Sequence, residues 1–301
     1  MVGASSTIVT VLFERVAGVT EELAGGDRYL HLVTRLAHRI RLADPLAGVW
    51  EAADFQWWWR RPHPSGDLGQ QFWLDEAGEP VAAVVLTGWS GRWQCDVLAA
   101  DGAPIDPTML HRRALELMAE RQIEVVEMAV PDNDPEAIAD LLAAGFVLDE
   151  ERGVSCWLDA ADRPAITPLP GGFKLHTRSA TRDRPHPMIT RNGPAIAKRL
   201  AQCSLYSDDL DLMVETDDGQ LAAYSMYWAD LVTGVGLVEP MRTEEAFEGL
   251  GIATHMLTTG LNLLAKRGCT RLKVGAGRGL YTNVGFVPLT TNVNLSHEGP
   301  W

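Results

Sequence analysis

Glu239-Pro-Met-Arg-Thr-Glu-Glu-Ala-Phe-Glu-Gly-Leu-Gly-Ile-Ala-Thr254 is the stretch on which the reading of this chain turns. It leaves a strand-like segment, residues 234–243, and passes through a turn bearing Gly249 and Gly251. It then enters a segment, residues 251–266, where Ile252, Met256, Leu257, Leu261, Leu264 and Ala265 recur near helical spacing. The two glycines have no side chain to block approach. A helix start offers unpaired N–H groups with the helix dipole behind them, and together these favour a pyrophosphate. Any tight strand-to-helix passage can use a Gly-x-Gly turn, so the surrounding elements have to decide.

Working outward, residues 210–215 and 221–227 read as strands joined by a hairpin turn at Asp217-Asp218-Gly219. Beyond the helix come a strand at 271–274, a short helix at 280–284 and closing strands over 286–295. The same plan recurs upstream. Gly78-Glu-Pro-Val-Ala-Ala-Val-Val-Leu86 resembles Gly219-Gln-Leu-Ala-Ala-Tyr-Ser-Met-Tyr227, and Ala144-Gly-Phe-Val147 matches Val284-Gly-Phe-Val287. The offsets agree, since 219 minus 78 is 141 and 285 minus 145 is 140. A shared long offset is the mark of a duplicated fold unit. Between the copies, residues 162–172 hold three prolines and a Gly-Gly pair, which favour an extended connection.

This ordered set resembles the GCN5-related N-acetyltransferase (GNAT) family. The family's cofactor motif is Arg or Gln, two residues, Gly, one residue, then Gly or Ala, and Glu248-Gly-Leu-Gly251-Ile-Ala253 stands in that register. Leu280-Tyr-Thr-Asn-Val-Gly-Phe286 is similar to the family's Leu-Tyr-x-x-x-Gly-Phe segment. Together these cover most of residues 205–290, whereas the first half matches in architecture and in its Gly-Phe element. The resemblance implies an α/β fold of mixed α+β sheet, with two tandem GNAT domains, each a mostly antiparallel twisted sheet with flanking helices. Residues 1–161 would be a degenerate copy, 162–172 the linker and 173–301 the acetyl-CoA-binding domain.

Acetyl-CoA, a co-substrate, is then expected in a V between two splayed strands. Its pantetheine would pair with the backbone of Met241, Arg242 and Thr243, and its pyrophosphate would sit on the amides of Gly249, Leu250, Gly251, Ile252, Ala253 and Thr254, after Glu248. The implied reaction is N-acetylation of a small-molecule or peptide primary amine by direct attack, with no covalent enzyme intermediate. Tyr281 falls where the family commonly has a tyrosine that protonates the departing thiolate, a role suited to a phenol of pKa about 10. Glu239, two positions from Met241 and so on the same face of a regular strand, would take the proton from the ammonium. The structural alternatives are a tyrosine covering a helix end and a salt-bridge partner in a polar groove.

The chain also departs from the family. Glu248 stands where Arg or Gln is usual, and the connection from Val274 to Tyr281 is short and glycine-rich, lacking the family's asparagine. In the first half the corresponding turn carries Asp106-Pro107, which reads as a helix cap followed by a residue with no amide donor. That copy is expected to be inert and to wall the substrate cleft. Trp57-Trp-Trp-Arg-Arg61 could be a stacking platform, but consecutive tryptophans on a helix point apart and read better as core or domain contact. The tandem plan also resembles the mycothiol synthases, whose acceptor is a cysteinyl pseudodisaccharide. A noncatalytic acyl-CoA-binding or regulatory protein is the rival class.

Composition sets the remaining bounds. With 46% apolar and 22% charged residues in 301, the chain is globular and long enough for two domains. A net charge of -14 argues against nucleic acid and anionic lipid and leans towards a cationic substrate. No apolar run reaches membrane-spanning length, and residues 1–10 lack the features of a signal peptide, so a cytoplasmic location is expected. The eight histidines and the four cysteines (Cys95, Cys156, Cys203, Cys269) show no metal-ligand spacing, and no metal or disulfide is expected. Two packed copies are compatible with a monomer or a homodimer.

Overall fold

The computed structural model describes residues 18–62, 64–275 and 279–300. The expectation for residues 1–10, and residues 276–278 of the glycine-rich connection, lie outside the described residues. The first half runs β1 (Val19–Ala24), α1 (Gly26–Ala43), α2 (Ala52–Trp58), β2 (Gln70–Asp75), β3 (Pro80–Trp89), β4 (Arg92–Ala99), α3 (Pro107–Glu120), β5 (Val125–Pro131), α4 (Pro135–Ala143) and β6 (Val147–Asp159). The second runs β7 (Phe173–Thr177), α5 (Ile189–Asn192), α6 (Ile196–Leu200), β8 (Asp211–Thr216), β9 (Leu221–Asp230), β10 (Val235–Thr243), α7 (Ile252–Arg267), β11 (Arg271–Val274), α8 (Gly279–Asn283) and β12 (Val287–Glu298).

The duplication extends to individual hydrogen bonds. In the β2–β3 turn, Asp75 N–H donates to Glu79 O at 2.9 Å and Gly78 N–H to Asp75 O at 2.8 Å; in the β8–β9 turn, Thr216 donates to Gln220 and Gly219 to Thr216, both at 2.9 Å. After α4, Phe146 N–H returns to Leu141 O at 3.0 Å, and after α8, Phe286 N–H returns to Tyr281 O at 3.1 Å. Both are the reversed bonds that close a helix on a left-handed glycine, Gly145 at φ 94° and Gly285 at φ 105°.

Where the sequence suggests a sheet for each half, the chain forms one sheet of 12 strands, ordered β1-β2-β3-β4-β5-β12-β6-β11-β10-β9-β8-β7. The halves have exchanged their last strands. β12 of the second half pairs with β5 of the first, and β6 of the first pairs with β11 of the second. The order is symmetric about the β12–β6 pair, where Asn292 faces Gly153 and Val293 faces Arg152. Since 293 minus 153 and 292 minus 152 are both 140, equivalent residues meet across a pseudo-twofold axis. Length permits the exchange: β6 has 13 residues and β12 has 12, enough for each to pair with the other and still reach a strand of the opposite half. Only β4–β5 and β10–β11 are parallel among the described pairs.

Apolar burial follows the same plan. One core lies under α3, a second under α7, and a third is shared, with α1 and α2 packed on Met188, Ile196, Leu200, Met226 and Trp228 of the second half. Trp57, Trp58 and Trp59 are all buried in this shared core, so the tryptophan run is a contact between halves. Polar bonds reinforce it: Gln56 Nε2 donates to Ser204 Oγ at 2.9 Å, Leu205 N–H to Gln56 Oε1 at 2.9 Å, and Trp59 Nε1 to Gln202 Oε1 at 3.0 Å. Deeper, Glu51 accepts from Arg41 Nε at 3.0 Å and from Lys273 Nζ at 2.8 Å, the side chains of Glu51, Arg41 and Lys273 being 6%, 4% and 3% exposed. Burial alone would raise the Glu51 pKa, but Lys273 and Arg41 outweigh it and hold the carboxyl below its ordinary value.

The linker is bound along α7. Thr167 N–H donates to Thr258 Oγ1 at 3.1 Å, Thr167 O lies 2.6 Å from His255 Nδ1, and Asn262 Nδ2 donates to Pro164 O at 3.2 Å. His255 thus serves to seat the linker. All four cysteines are buried and unpaired. Among the described residues no helix is long and apolar enough to cross a membrane.

Candidate functional site

β10 runs beside β11 only at Val235, Gly236 and Leu237. It then bulges between Val238 and Met241, and Met241, Arg242 and Thr243 continue paired to β9 at Ser225, Tyr224 and Ala223. With β11 ending at Val274, the other edge of Met241, Arg242 and Thr243 has no strand partner among the described residues. The parting opens a cleft of about 520 Å³ between β10, the start of α7 and α8. Every cofactor-contact residue expected from the sequence lines it except Leu250, whose side chain is exposed.

The floor of the cleft is a row of amides. Gly251 is the residue before α7 at φ 84°, a left-handed conformation with no side-chain cap, and Gly249 has φ 75°. Among the described residues no acceptor meets the N–H groups from 249 to 254. Glu248 lies exposed on the rim, in no ion pair with any described side chain. The first half makes the contrast. β4 and β5 also pair only briefly, at Trp93–Val126 and Gln94–Glu127, but Asp106 Oδ1 accepts from Thr108 N–H at 2.9 Å and from Thr108 Oγ1 at 2.8 Å. These bonds hold the Asp106 carboxyl below its usual pKa. With Pro107 contributing no donor, that helix start is already satisfied by an anion of its own.

Tyr281 stands on α8, half-buried on the cleft wall, its ring against Phe286 at 6.1 Å between centroids. Glu239 lies in the bulge, and here a sequence expectation fails. Met241 packs with the α7-side core, whereas Glu239 faces Trp57 of α2 and Arg60 of the turn after it. The bulge inserts an extra residue and breaks the alternation that would have kept the two on one face. Burial raises the Glu239 pKa, and the Arg60 guanidinium and Trp57 indole offset part of that rise. Its own carbonyl is held by Trp228 Nε1 at 2.7 Å.

On the Glu239 side of β10, polar and charged side chains of the two halves meet. Arg60 lies 3.8 Å over the Trp57 ring and donates Nε to Asn192 Oδ1 at 2.8 Å. Arg191 on α5 donates to both oxygens of Glu244 at 3.1 and 2.8 Å, and Arg242 Nε lies 3.6 Å from the same carboxylate. Tyr224 sits among these groups; burial raises its phenol pKa and the arginines oppose the rise. Sequence reasoning missed Arg60, Arg191 and Tyr224. The arginine closing the tryptophan run was visible, but its approach to residues more than a hundred positions away has no local signal.

Comparison with known proteins agrees with this construction. Residues 176–286 match the Acetyltransferase (GNAT) family. A mycothiol acetyltransferase of Beutenbergia cavernae is 25% identical over 145 residues, covering 42% of this chain, so the chain spans about half (49%) of that relative's length. In fold, a tandem GNAT protein from the clavulanic acid biosynthesis pathway superposes with a TM-score of 0.66 at 15% identity, over 94% of this chain and 99% of that one. A GCN5-related N-acetyltransferase from Sphaerobacter thermophilus gives 0.59 at 16% identity, over 94% and 96%. The second half, which holds the open amide row, thus matches the Acetyltransferase (GNAT) family over residues 176–286, and the chain over nearly its whole length has the fold of a tandem GNAT protein.

Proposed function

We propose that the second half binds acetyl-CoA and transfers its acetyl group to a primary amine bound in the groove between the halves. One observation carries the reading: among the described residues β10 has an unpaired backbone edge leading to the open amide row of α7, while Glu239 in its bulge faces Trp57 and Arg60 of the other half. The amides from 249 to 254 fit a diphosphate, because a helix start with no cap of its own favours an anion. The free backbone edge at Met241, Arg242 and Thr243 fits the amide-bearing pantetheine arm.

Acetyl-CoA supplies an acetyl already activated as a thioester. Glu239 takes the proton from the incoming ammonium, and its raised pKa brings it closer to that of an amine. Tyr281 donates its phenol proton to the departing thiolate. The relation to a mycothiol acetyltransferase supports acetyl as the group transferred. The exposed Glu248 carboxylate at the rim is the observation favouring a noncatalytic acyl-CoA binder instead.

Calorimetric titration of acetyl-CoA, followed by thiol release in the presence of primary amines, tests the proposal. One site per chain with amine-dependent release is expected. Two equal sites would overturn the inert first copy, no binding would overturn the cofactor, and binding without release from any amine would favour the noncatalytic reading.

A further inference from the structure

The chain as a whole is strongly acidic, with a net charge of -14, yet three arginines gather on the Glu239 side of β10. Arg191, Arg242 and Arg60 all bear on Tyr224, two from the second half and one from the first. Arg191 and Arg242 share the single Glu244 carboxylate, which leaves a positive charge over between those three.

Arg60 adds another. Its Nε donates to the neutral Asn192 Oδ1 and its Nη1 to the neutral Trp57 carbonyl at 2.9 Å, and among the described side chains it makes no ion pair. Burial lowers its pKa to about 10, so it remains a cation at neutral pH. Glu239 is an opposite charge acting on it, and with an acceptor bound that carboxylate would be engaged by the ammonium. A guanidinium withdrawn from water and bonded to neutral oxygens alone is costly to hold, and an arriving anion removes the cost. Stacking on Trp57 and the bond to Asn192 fix where its fork points, so the site is preorganised.

We propose that the acceptor is a primary amine that also carries a carboxylate, in the simplest case an amino acid, with Glu239 reading its ammonium end and Arg60, supported by Arg191 and Arg242, reading its carboxylate. This rests on the transfer reading above and narrows it to a substrate class. It reverses the lean towards a cationic substrate given by net charge, because a local lining governs recognition where the distant surface charge is screened within about 10 Å. It also gives the first half a direct part in choosing the acceptor, through a residue of the turn that follows α2.

The test pairs each of the common L-amino acids with its C-terminal amide. Both are measured by thiol release from acetyl-CoA and, independently of turnover, by calorimetric binding to the protein and to Arg60→Gln and Arg60→Lys. A charge-assisted bidentate contact predicts that at least one acid exceeds its amide roughly tenfold to a hundredfold in affinity and kcat/KM. Arg60→Gln should bring the pair towards parity through KM, and Arg60→Lys should restore part of the gap. Acid and amide behaving alike, or neither binding, would overturn the inference, the former leaving acetyl transfer in place. Acid-selective binding that depends on Arg60, without thiol release, would uphold the inference while overturning the transfer reading.

Discussion

Replacing Gly251 by asparagine and by aspartate separates the shape of the amide row from its charge. The residue sits at φ 84°, and a Cβ built there meets nothing within 4 Å, so the backbone conformation is the only obstacle to a side chain. Asparagine visits that region more readily than most residues, so Gly251→Asn should preserve the fold and weaken acetyl-CoA by less than about tenfold. Aspartate is nearly the same shape with a full negative charge. Against a phosphate charge about 5 Å away at an effective dielectric of about 20, Coulomb repulsion is roughly 3 kcal/mol, about a hundredfold in affinity. The new carboxylate would also satisfy the amides itself, as Asp106 does in the first half. Titration calorimetry on the two variants, each checked by circular dichroism, should show Asp binding about a hundredfold more weakly than Asn, with the gap narrowing in 1 M salt, where the screening length falls to about 3 Å. Equal binding by the two would refute an anion held on these amides.

Tyr281→Phe should lower kcat by roughly a hundredfold or more while acetyl-CoA affinity measured by calorimetry stays put, as loss of a general acid requires; an unchanged kcat would remove the residue from the mechanism. The rate should rise with pH as Glu239 loses its proton, and because burial raises that pKa the rising limb should lie above the ordinary carboxylate range; Glu239→Gln should abolish the limb in a pH–rate series. Glu51→Gln should destabilise the fold by about 3–5 kcal/mol in urea denaturation, since it leaves Arg41 and Lys273 buried without their anion. The Glu51 pKa is lowered in the fold, so its contribution is present above the unfolded value and is lost as pH falls through the folded one; the variant and the parent should therefore converge in acid.

The elements around the site were legible because their signals are local. The helix read at 251–266 is α7 at Ile252–Arg267, and the strand read at 271–274 is β11 with the same bounds. The cap at Asp106 was equally readable, since a carboxylate two residues from the amide it accepts from needs no tertiary knowledge. The failures are of another kind. Alternation tells a strand which faces it has but not which neighbour it will take, so nothing in residues 147–159 or 287–298 announced the exchange. Period-two counting put Glu239 with Met241, and a bulge of the kind that pairing alone reveals turned Glu239 away. Arg60 and Asn192 meet across 132 positions, a distance at which sequence pattern is silent.

The exchange of β6 and β12 bears on how this molecule came to be one chain. A cut anywhere in residues 162–172 would leave each fragment carrying the strand that completes its sister, with the edges of β5 and β11 bare. Exposed edges of that kind invite association with whatever strand is at hand. Two separate copies with this architecture would therefore be obligate partners, a symmetric dimer with two equivalent sites. Joined in one reading frame, they are always present in equal number and always find each other. In this chain the two helix starts are not equivalent, one closed by the Asp106-Pro107 cap and the other an open amide row.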